Sequence, residues 1–474
     1  MHLLHQQSLV KFDRQFPVYN FFFPSQGKQR SEHALSDVWN ESQGYVNSRA
    51  LYFHVPFCDT ICNFCPFTRG RYSDRAVIDR YFEALLAEIR MKADRIDLQS
   101  VPIGAIFFGG GTPSLFDPDQ IVEIGELIRK TFDLSRLREF SFEIEVKSLT
   151  HERADAMRAI GVTHPRFGLQ TFSQKWRDMF DLTATLPQIH EAAALLREKF
   201  PFQTFDILYG MSGQDEEELI ADLTQAVRLG TTNIDIYPID NIVTQVGLHA
   251  KLAKADATPT SAMRKFSMNV LVDQFMRHAG FMPHNGHGYV RAPSTPDVVS
   301  DAYSFVYHEH VYGYHDFDLL GFGVNAISST MGHVTTNTHS RKLYGEKVLQ
   351  GLFPCEISQH DHSLDYSRPV VLRLPYHGHI EKQRVVWDRV HPEVLEKLQT
   401  LKQEGMVIED DTSLSLTKLG WYWYVDIMYF LMPKADQLLM NAMVAQKLKD
   451  PGRQFTKREL LYPVVSVKAA GDAS

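Results

Sequence analysis

Three of the chain's four cysteines stand within eight residues, as Cys58-Asp-Thr-Ile-Cys62-Asn-Phe-Cys65, and the fourth, Cys355, lies far downstream. An odd cluster this tight leaves no even set of thiols for a disulfide framework. It can hold metal. A Cys-x3-Cys-x2-Cys loop offers one ligand too few for a closed structural zinc site, which takes four. It suits a [4Fe–4S] cluster in which the protein holds three irons and leaves one open. The flanks, Tyr52-Phe-His54-Val-Pro56-Phe57 and Pro66-Phe67, are aromatic and apolar. Such a shell keeps water from a cluster and tunes its potential. Three structural cysteines, or a zinc site completed by a remote fourth ligand, remain the alternatives from spacing alone.

The rest of the chain decides what kind of protein surrounds that loop. Its 474 residues allow two or three domains and a large core. A net charge of −8 argues against a nucleic-acid binder built on phosphate contacts. No apolar run approaches the roughly 18 residues that would span a bilayer. The start, Met1-His-Leu-Leu-His5, has no basic segment leading into an apolar one, so no signal peptide is expected. Few, clustered cysteines fit a reducing cytoplasm. The 21 His, 31 Phe and 19 Tyr would suit a large, flat, unsaturated substrate.

Residues 1–49 read as an irregular N-terminal arm, with apolar Phe21-Phe-Phe-Pro24 and polar Ser25 to Arg30. From residue 50 strands and helices alternate. Leu51–Val55 is a buried strand ending at the cysteine loop. A helix follows with Ile78, Phe82, Leu85 and Ile89 on one face, opened by Ser73 or Asp74. Gly104–Phe108, Phe140–Glu145, Arg166–Gln170, Thr204–Tyr209 and Asn233–Tyr237 are the next strands. Helices are expected at Pro118 onward, 150–160, 187–198, 214–229 and 261–278. Repeated βα units predict an α/β fold with a parallel sheet, here a partial (β/α)6 barrel over 50–280. Residues 281–345, rich in His, Gly and Tyr, are expected to connect to the substrate site. Residues 346–474 are expected to form a winged-helix-like α+β domain: a helix from Pro392, a hairpin over 405–417, and an aromatic helix from Trp421 to Phe430. Its acidic setting reads as a cover over the barrel rather than a DNA reader.

Barrel active sites form at the C-terminal ends of strands. Gly109-Gly110-Gly111-Thr112-Pro113 sits at one such end, where glycines let a backbone approach a ligand closely. Glu143, Gln170 and Asp206 sit at others. A lone carboxylate on an apolar strand needs a partner, and a neighbouring loop would serve as well as a ligand.

The cysteine loop resembles the signature of radical S-adenosylmethionine (SAM) enzymes. The wider Tyr52-x-His54-x-Pro56-Phe57-Cys58 is similar to the oxygen-independent coproporphyrinogen III oxidase-like branch, and the likeness runs from about residue 50 to about 430. The resemblance implies that Cys58, Cys62 and Cys65 hold a [4Fe–4S] cluster. SAM then chelates the open iron and is cleaved to a 5′-deoxyadenosyl radical. It further implies SAM contacts at Tyr52, Phe64, Gly110, Gly111, Thr112 and Glu143, with Ile327 near the adenine. A second SAM would meet Gln170, Asp206 and Asp240. An electron donor such as flavodoxin or ferredoxin is implied.

The departures are specific. Coproporphyrinogen oxidases carry a cysteine two residues after the third ligand, where this chain has Phe67. Their arginine beyond the glutamine falls on Leu182, with Arg177 the nearest upstream, and their alanine after the sixth strand falls on Asp240. The Phe64-Cys65-Pro66-Phe67-Thr-Arg69 segment is more similar to the class C methylases and cyclopropane-forming enzymes. The expected reaction is therefore transfer of a one-carbon unit from a second SAM to an unsaturated carbon. The alternatives are oxidative decarboxylation of coproporphyrinogen III and a heme-binding or heme-degrading role. His284, His287, His308, His310 and His315 are expected around the substrate mouth, with proton transfer a secondary role. Cys355, in an expected loop, is a further candidate thiol.

Overall fold

The computed structural model describes residues 35–292 and 306–449, with short pieces at 10–11, 23–24, 28–29 and 466–467. Most of the expected N-terminal arm, including Phe21, Phe22 and Ser25 to Gly27, lies outside the described residues.

Six βα units form the frame. They are β1 (Ser48–Val55), α1 (Arg75–Ala93), β2 (Ile103–Gly110), α2 (Pro118–Thr131), β3 (Glu139–Ile144), α3 (His151–Ala159), β4 (His164–Gln170), α4 (Leu186–Lys199), β5 (Thr204–Tyr209), α5 (Glu216–Arg228), β6 (Asn233–Pro238) and α6 (Ala262–His278). Each strand pairs in parallel with the next in chain order. The strands are largely buried on both faces, as a sheet covered on both sides requires, although one face of β3 to β6 carries Glu139, Glu143, Arg166, Asp206 and Asp235. The helices start where the sequence supplies caps. Asp215 Oδ1 accepts from Glu218 N at 2.8 Å to open α5. Ser261 caps α6 through Arg264 N at 3.3 Å.

The two faces of the sheet pack against different partners, because successive strand residues point opposite ways. Leu51, Phe53, Val55, Ile106 and Phe108 face a core shared with α1, α2 and α4. Ala50 and Ala105 face a second core made with Phe266 of α6 and with Tyr376, Leu398, Trp423 and Met428 from the C-terminal region. The C-terminal residues thus cover the face opposite the helices.

The sheet extends beyond the six units. Phe317–Phe322 joins β1 in parallel on its other edge, and Gly288–Arg291 joins β6 antiparallel. The segment 281–345, expected to connect, supplies five of the strands in one 13-stranded sheet. The hairpin expected over 405–417 is present as Val407–Glu409 and Ser413–Leu416. A third strand, His379–Glu381, joins it. Three residues are too short to carry an alternating pattern in sequence. The aromatic helix is split into Lys418–Tyr422 and Tyr424–Leu431 at Trp423, whose buried ring stacks 4.1 Å from Phe266. No helix among the described residues is long and apolar enough to cross a membrane.

Candidate active site

β1 ends at Val55 and hands the chain to the cysteine loop. Cys58 N donates to Gly70 O at 3.1 Å and Gly70 N to Pro56 O at 2.9 Å, closing the loop at its base. Asn63 Nδ2 donates to Met179 O at 2.7 Å and Asp181 Oδ2 at 2.9 Å. Arg69 Nη2 donates to Cys62 O at 3.2 Å, and Gln245 Nε2 to Phe64 O. These contacts brace the loop against β1, the segment around Met179 and Asp181, and Gln245.

The three thiols are partly buried and unbonded to one another. Burial pushes Cys58 up to about 11 and Cys62 to about 12, and raises Cys65. Thiols so reluctant to ionise become thiolates when a metal takes the proton's place. Thr112 donates its hydroxyl hydrogen to Cys58 and eases that ionisation. Among the described residues no three such side chains converge on a single metal ion. A cubane makes a different demand, since each thiolate binds its own iron. Three half-buried thiols on one fixed loop fit that demand.

The end of β2 packs directly against this loop. Gly110 has φ +104°, and a Cβ there would lie 2.4 Å from the His54 ring. A Cβ on Gly111 would lie 2.5 Å from Phe57 O. Only glycine admits that approach. Gly110 N donates to Glu143 Oε2 at 3.1 Å. His54 Nε2 lies 2.9 Å from Thr68 O, a carbonyl that can only accept, so Nε2 carries the hydrogen. Nδ1 is then the acceptor for Tyr52 Oη at 2.9 Å. Burial lowers His54 to about 4, so the ring stays neutral. Gly323 backs onto His54 O, and Asn325 Nδ2 donates to Thr68 Oγ1 at 2.9 Å. This brings the segment ahead of Ile327 against the cysteine loop, with Ile327 itself half-buried at a strand start.

Register explains the charges beside it. Glu143 on β3 stands opposite Arg166 on β4, and Asp206 on β5 opposite Asp235 on β6. Arg166 bonds Asp235 and lies 3.7 Å from Asp206. Burial raises Glu143 to about 7, against the pull of Arg166 and the Gly110 hydrogen bond. Asp206 and Asp235 are raised for the same reason. Asp206 Oδ1 is buried with no hydrogen-bond partner. Three carboxyl groups thus share one guanidinium at this end of the sheet, and burial favours their protonated forms. Gln170 ends β4 at φ +71°, a left-handed conformation uncommon for a residue with a side chain.

Above Tyr52 lies an aromatic vault. Tyr52 and Phe107 stack 6.1 Å apart, and Tyr307 packs 4.7 Å from Phe107. His287 bonds Tyr424 Oη at 3.1 Å and Tyr376 Oη at 3.0 Å, and Tyr376 reaches His308 Nδ1 at 2.8 Å. Burial lowers His284 to about 4 and His287 to about 3. Of the five expected histidines, His284, His287 and His308 gather here. His310 instead bonds Ser48, at the opposite end of β1, and His315 packs on Tyr366. These two do not join the other three: His310 lies on the face of the short helix Val306–Val311 that meets Ser48, and His315 lies in the turn after that helix.

Phe64 and Leu182 pack on a third apolar cluster with Trp176, Phe180 and Ile239. Arg177 does not stand in for the missing arginine. Its guanidinium is spent on the carbonyls of Leu169, Thr171 and Ala184. Asp240 lies across that cluster, beside Lys265 of α6. Cys355 opens a strand paired with Asn337 rather than lying in a loop, and burial pushes its thiol up to about 11. Sequence reasoning passed over Arg166, Asp235, Tyr307, Tyr376 and Lys265. A charged residue inside an apolar strand was the signal for the first two. The others, on helices, carried none.

Residues 52–226 match the radical SAM superfamily. An anaerobilin synthase from Escherichia coli is 27% identical over 425 residues, covering 88% of this chain and 92% of that protein. An oxygen-independent coproporphyrinogen III oxidase from Escherichia coli is 26% identical over 387 residues, 78% of this chain and 82% of that one. A heme chaperone from Lactococcus lactis is 25% identical over 298 residues, 62% and 67%. The solved structure of Escherichia coli coproporphyrinogen III oxidase superposes with a TM-score of 0.72 at 21% identity, over 87% of this chain and 96% of that one. None of these is named for methyl transfer, the branch expected from Phe67.

Proposed function

The chain belongs to the radical SAM superfamily, in its coproporphyrinogen oxidase-like family, and from that premise we propose that it attacks an unsaturated tetrapyrrole and attaches a one-carbon unit from a second SAM. Membership implies a [4Fe–4S] cluster and SAM. When bound, the cluster supplies the electron that cleaves SAM to methionine and a 5′-deoxyadenosyl radical. Cys58, Cys62 and Cys65 would hold it. Glu143, Gly110 and Thr112 would seat SAM, and its positive charge would favour ionisation of the buried carboxyls around Arg166.

The observation that carries the reading is Tyr52. Its hydroxyl is bonded to His54 beside the cysteine loop, and its ring belongs to the vault with Phe107 and Tyr307. One side chain thus joins the cysteine loop to a buried cluster of aromatic rings, side chains of the kind that pack against a flat, unsaturated substrate. The relatives' names point to tetrapyrroles and hemes, and the likeness to the anaerobilin synthase runs over 425 residues. Phe67, 58% exposed in place of the oxidase cysteine, supports one-carbon transfer over decarboxylation.

The test is anaerobic reconstitution with dithionite, methyl-labelled SAM and either hemin or coproporphyrinogen III. The expected products are 5′-deoxyadenosine, S-adenosylhomocysteine and a labelled tetrapyrrole. Loss of substrate carboxylates without S-adenosylhomocysteine would favour the oxidase. Hemin binding without SAM cleavage would favour a chaperone role and overturn the proposal.

A further inference from the structure

Glu88 and Lys92 stand one helical turn apart on α1, a spacing that on most helices makes a solvent-facing ion pair. Here both are buried, at 0% and 2% side-chain exposure, with Lys92 Nζ 2.8 Å from Glu88 Oε1. Burying two charges is costly unless their remaining lone pairs and hydrogens find partners. Those partners gather at one place. Glu88 Oε2 accepts from Gly323 N and from Tyr344 Oη, each at 2.7 Å. Glu88 Oε1 accepts from Asn337 Nδ2 at 2.9 Å, and the same amide nitrogen donates to Gly323 O at 2.7 Å. Lys92 donates to Gly321 O at 2.7 Å and lies 4.4 Å from the centre of the Phe322 ring. The pair thus grips the chain from Gly321 to Gly323, at the end of the strand Phe317–Phe322.

The turn that follows, 323–326, reaches both ends of the cysteine loop. Asn325, at φ +58°, donates from Nδ2 to Thr68 Oγ1 at 2.9 Å, just past Cys65. Tyr81, also on α1, accepts from Val324 N at 3.0 Å and donates to His54 O at 2.7 Å, ahead of Cys58. Gly323, at φ +94°, has no room for a Cβ, which would lie 2.5 Å from His54 O. His54 in turn bonds Thr68 O and packs against Gly110, where SAM would be seated. We propose that Glu88 and Lys92 are positioning residues for SAM binding, acting through the turn 323–326 on His54 and Thr68. The assignment rests on the SAM seat at Gly110 and Glu143 given above. The pair acts at a distance, by fixing where the two ends of the cysteine loop stand against the end of β2. Apolar side chains of similar size would fill the same core, but they would offer nothing to Gly323 N and would leave the turn free to drift.

The experiment reads anaerobic SAM titration, iron content and melting midpoint of the reconstituted protein, and hydrogen exchange of the metal-free protein. Glu88→Met combined with Lys92→Met removes the grip without leaving an unpaired buried charge. It should keep the iron content, raise the Kd for SAM about tenfold, the scale of a lost charged hydrogen bond, and speed exchange over residues 54–70. Glu88→Gln combined with Lys92→Met keeps an acceptor for Gly323 N and should recover most of the affinity. Asn325→Gly leaves the core untouched, and glycine accepts the left-handed backbone. It should weaken SAM binding in the same direction with the melting midpoint unchanged. A pair that served the fold alone would move the midpoint and leave SAM affinity where it was. Unchanged SAM affinity in both Glu88→Met/Lys92→Met and Asn325→Gly would overturn this assignment and leave the SAM seat standing. Wild type that bound no SAM would overturn both.

Discussion

Glu143, which would seat SAM in the proposed function, is also a liability. Its carboxyl is buried, so its proton is held up to about 7, yet a cationic ligand is best attracted by the carboxylate. SAM affinity should therefore rise as pH passes upward through about 7. Glu143→Gln should flatten that profile and weaken binding about tenfold, near 1.4 kcal/mol, as read by anaerobic titration of the reconstituted protein. A steep pH profile surviving in the variant would place the titrating group elsewhere. The linkage sign runs the other way for folding. A carboxyl raised above its unfolded value near 4.5 favours the fold below that pH, and the benefit is lost as pH rises through about 7. Arg166 limits this cost for its neighbours. Arg166→Met would leave Asp206 and Asp235 buried without their cation, and should lower stability by about 3–5 kcal/mol in denaturant titration. Replacing both aspartates by asparagine in the same chain should recover part of the loss. A change under about 1 kcal/mol in Arg166→Met would mean that water reaches the pair.

Helix α2 carries its own test. Gly125 lies in its middle, where alanine would ordinarily gain up to about 1 kcal/mol. Here a Cβ would sit 2.2 Å from Ile160 Cγ2, at the end of α3. Overpacking of that kind costs about 1–3 kcal/mol, so Gly125→Ala should lower the melting midpoint. A rise would show that α3 can shift away. The same element shows what a sequence reveals. Ile121, Ile124 and Ile128 repeat on one face behind Pro118, so α2 could be read directly. The strands β1 to β6 were legible because each is an apolar run closed by a turn. His379–Glu381 was not, being three residues long, nor were the helices Gln174–Phe180 and Val246–Lys254, which are short and mixed. At the site, Gly110, Thr112 and Glu143 were legible because they end strands, and the structure gathers them within hydrogen-bond contact of one another or of Cys58. Lys265 was illegible because a lysine on a helix reads as solvent-facing. Only the approach of Gly210 shows that its stem turns inward.

At the scale of the whole molecule, the cysteine loop is held by the fold rather than the fold by the loop. Its anchors reach the strand before it, the loop after the helix Gln174–Phe180, and Gln245 beside β6. None of these runs through a thiol. Burial also raises the Cys58 and Cys62 thiols, to about 11 and about 12. This differs from small metal-folded domains, where the binding energy of the metal is the folding energy. A chain whose core runs from Leu35 to Val348 and whose second core ties β1 and β2 to the C-terminal helices has apolar burial enough to fold first. Stripping the cluster with a chelator under anaerobic conditions should therefore abolish SAM cleavage while leaving the far-ultraviolet circular dichroism unchanged and the melting midpoint within a few degrees. Hydrogen exchange should rise at Cys58 to Arg69 and stay flat in β2 and β3. Global unfolding on chelation would show instead that the metal organises the mouth of the sheet, and the anchors through Asn63 and Gln245 would then be consequences of the cluster rather than its cradle.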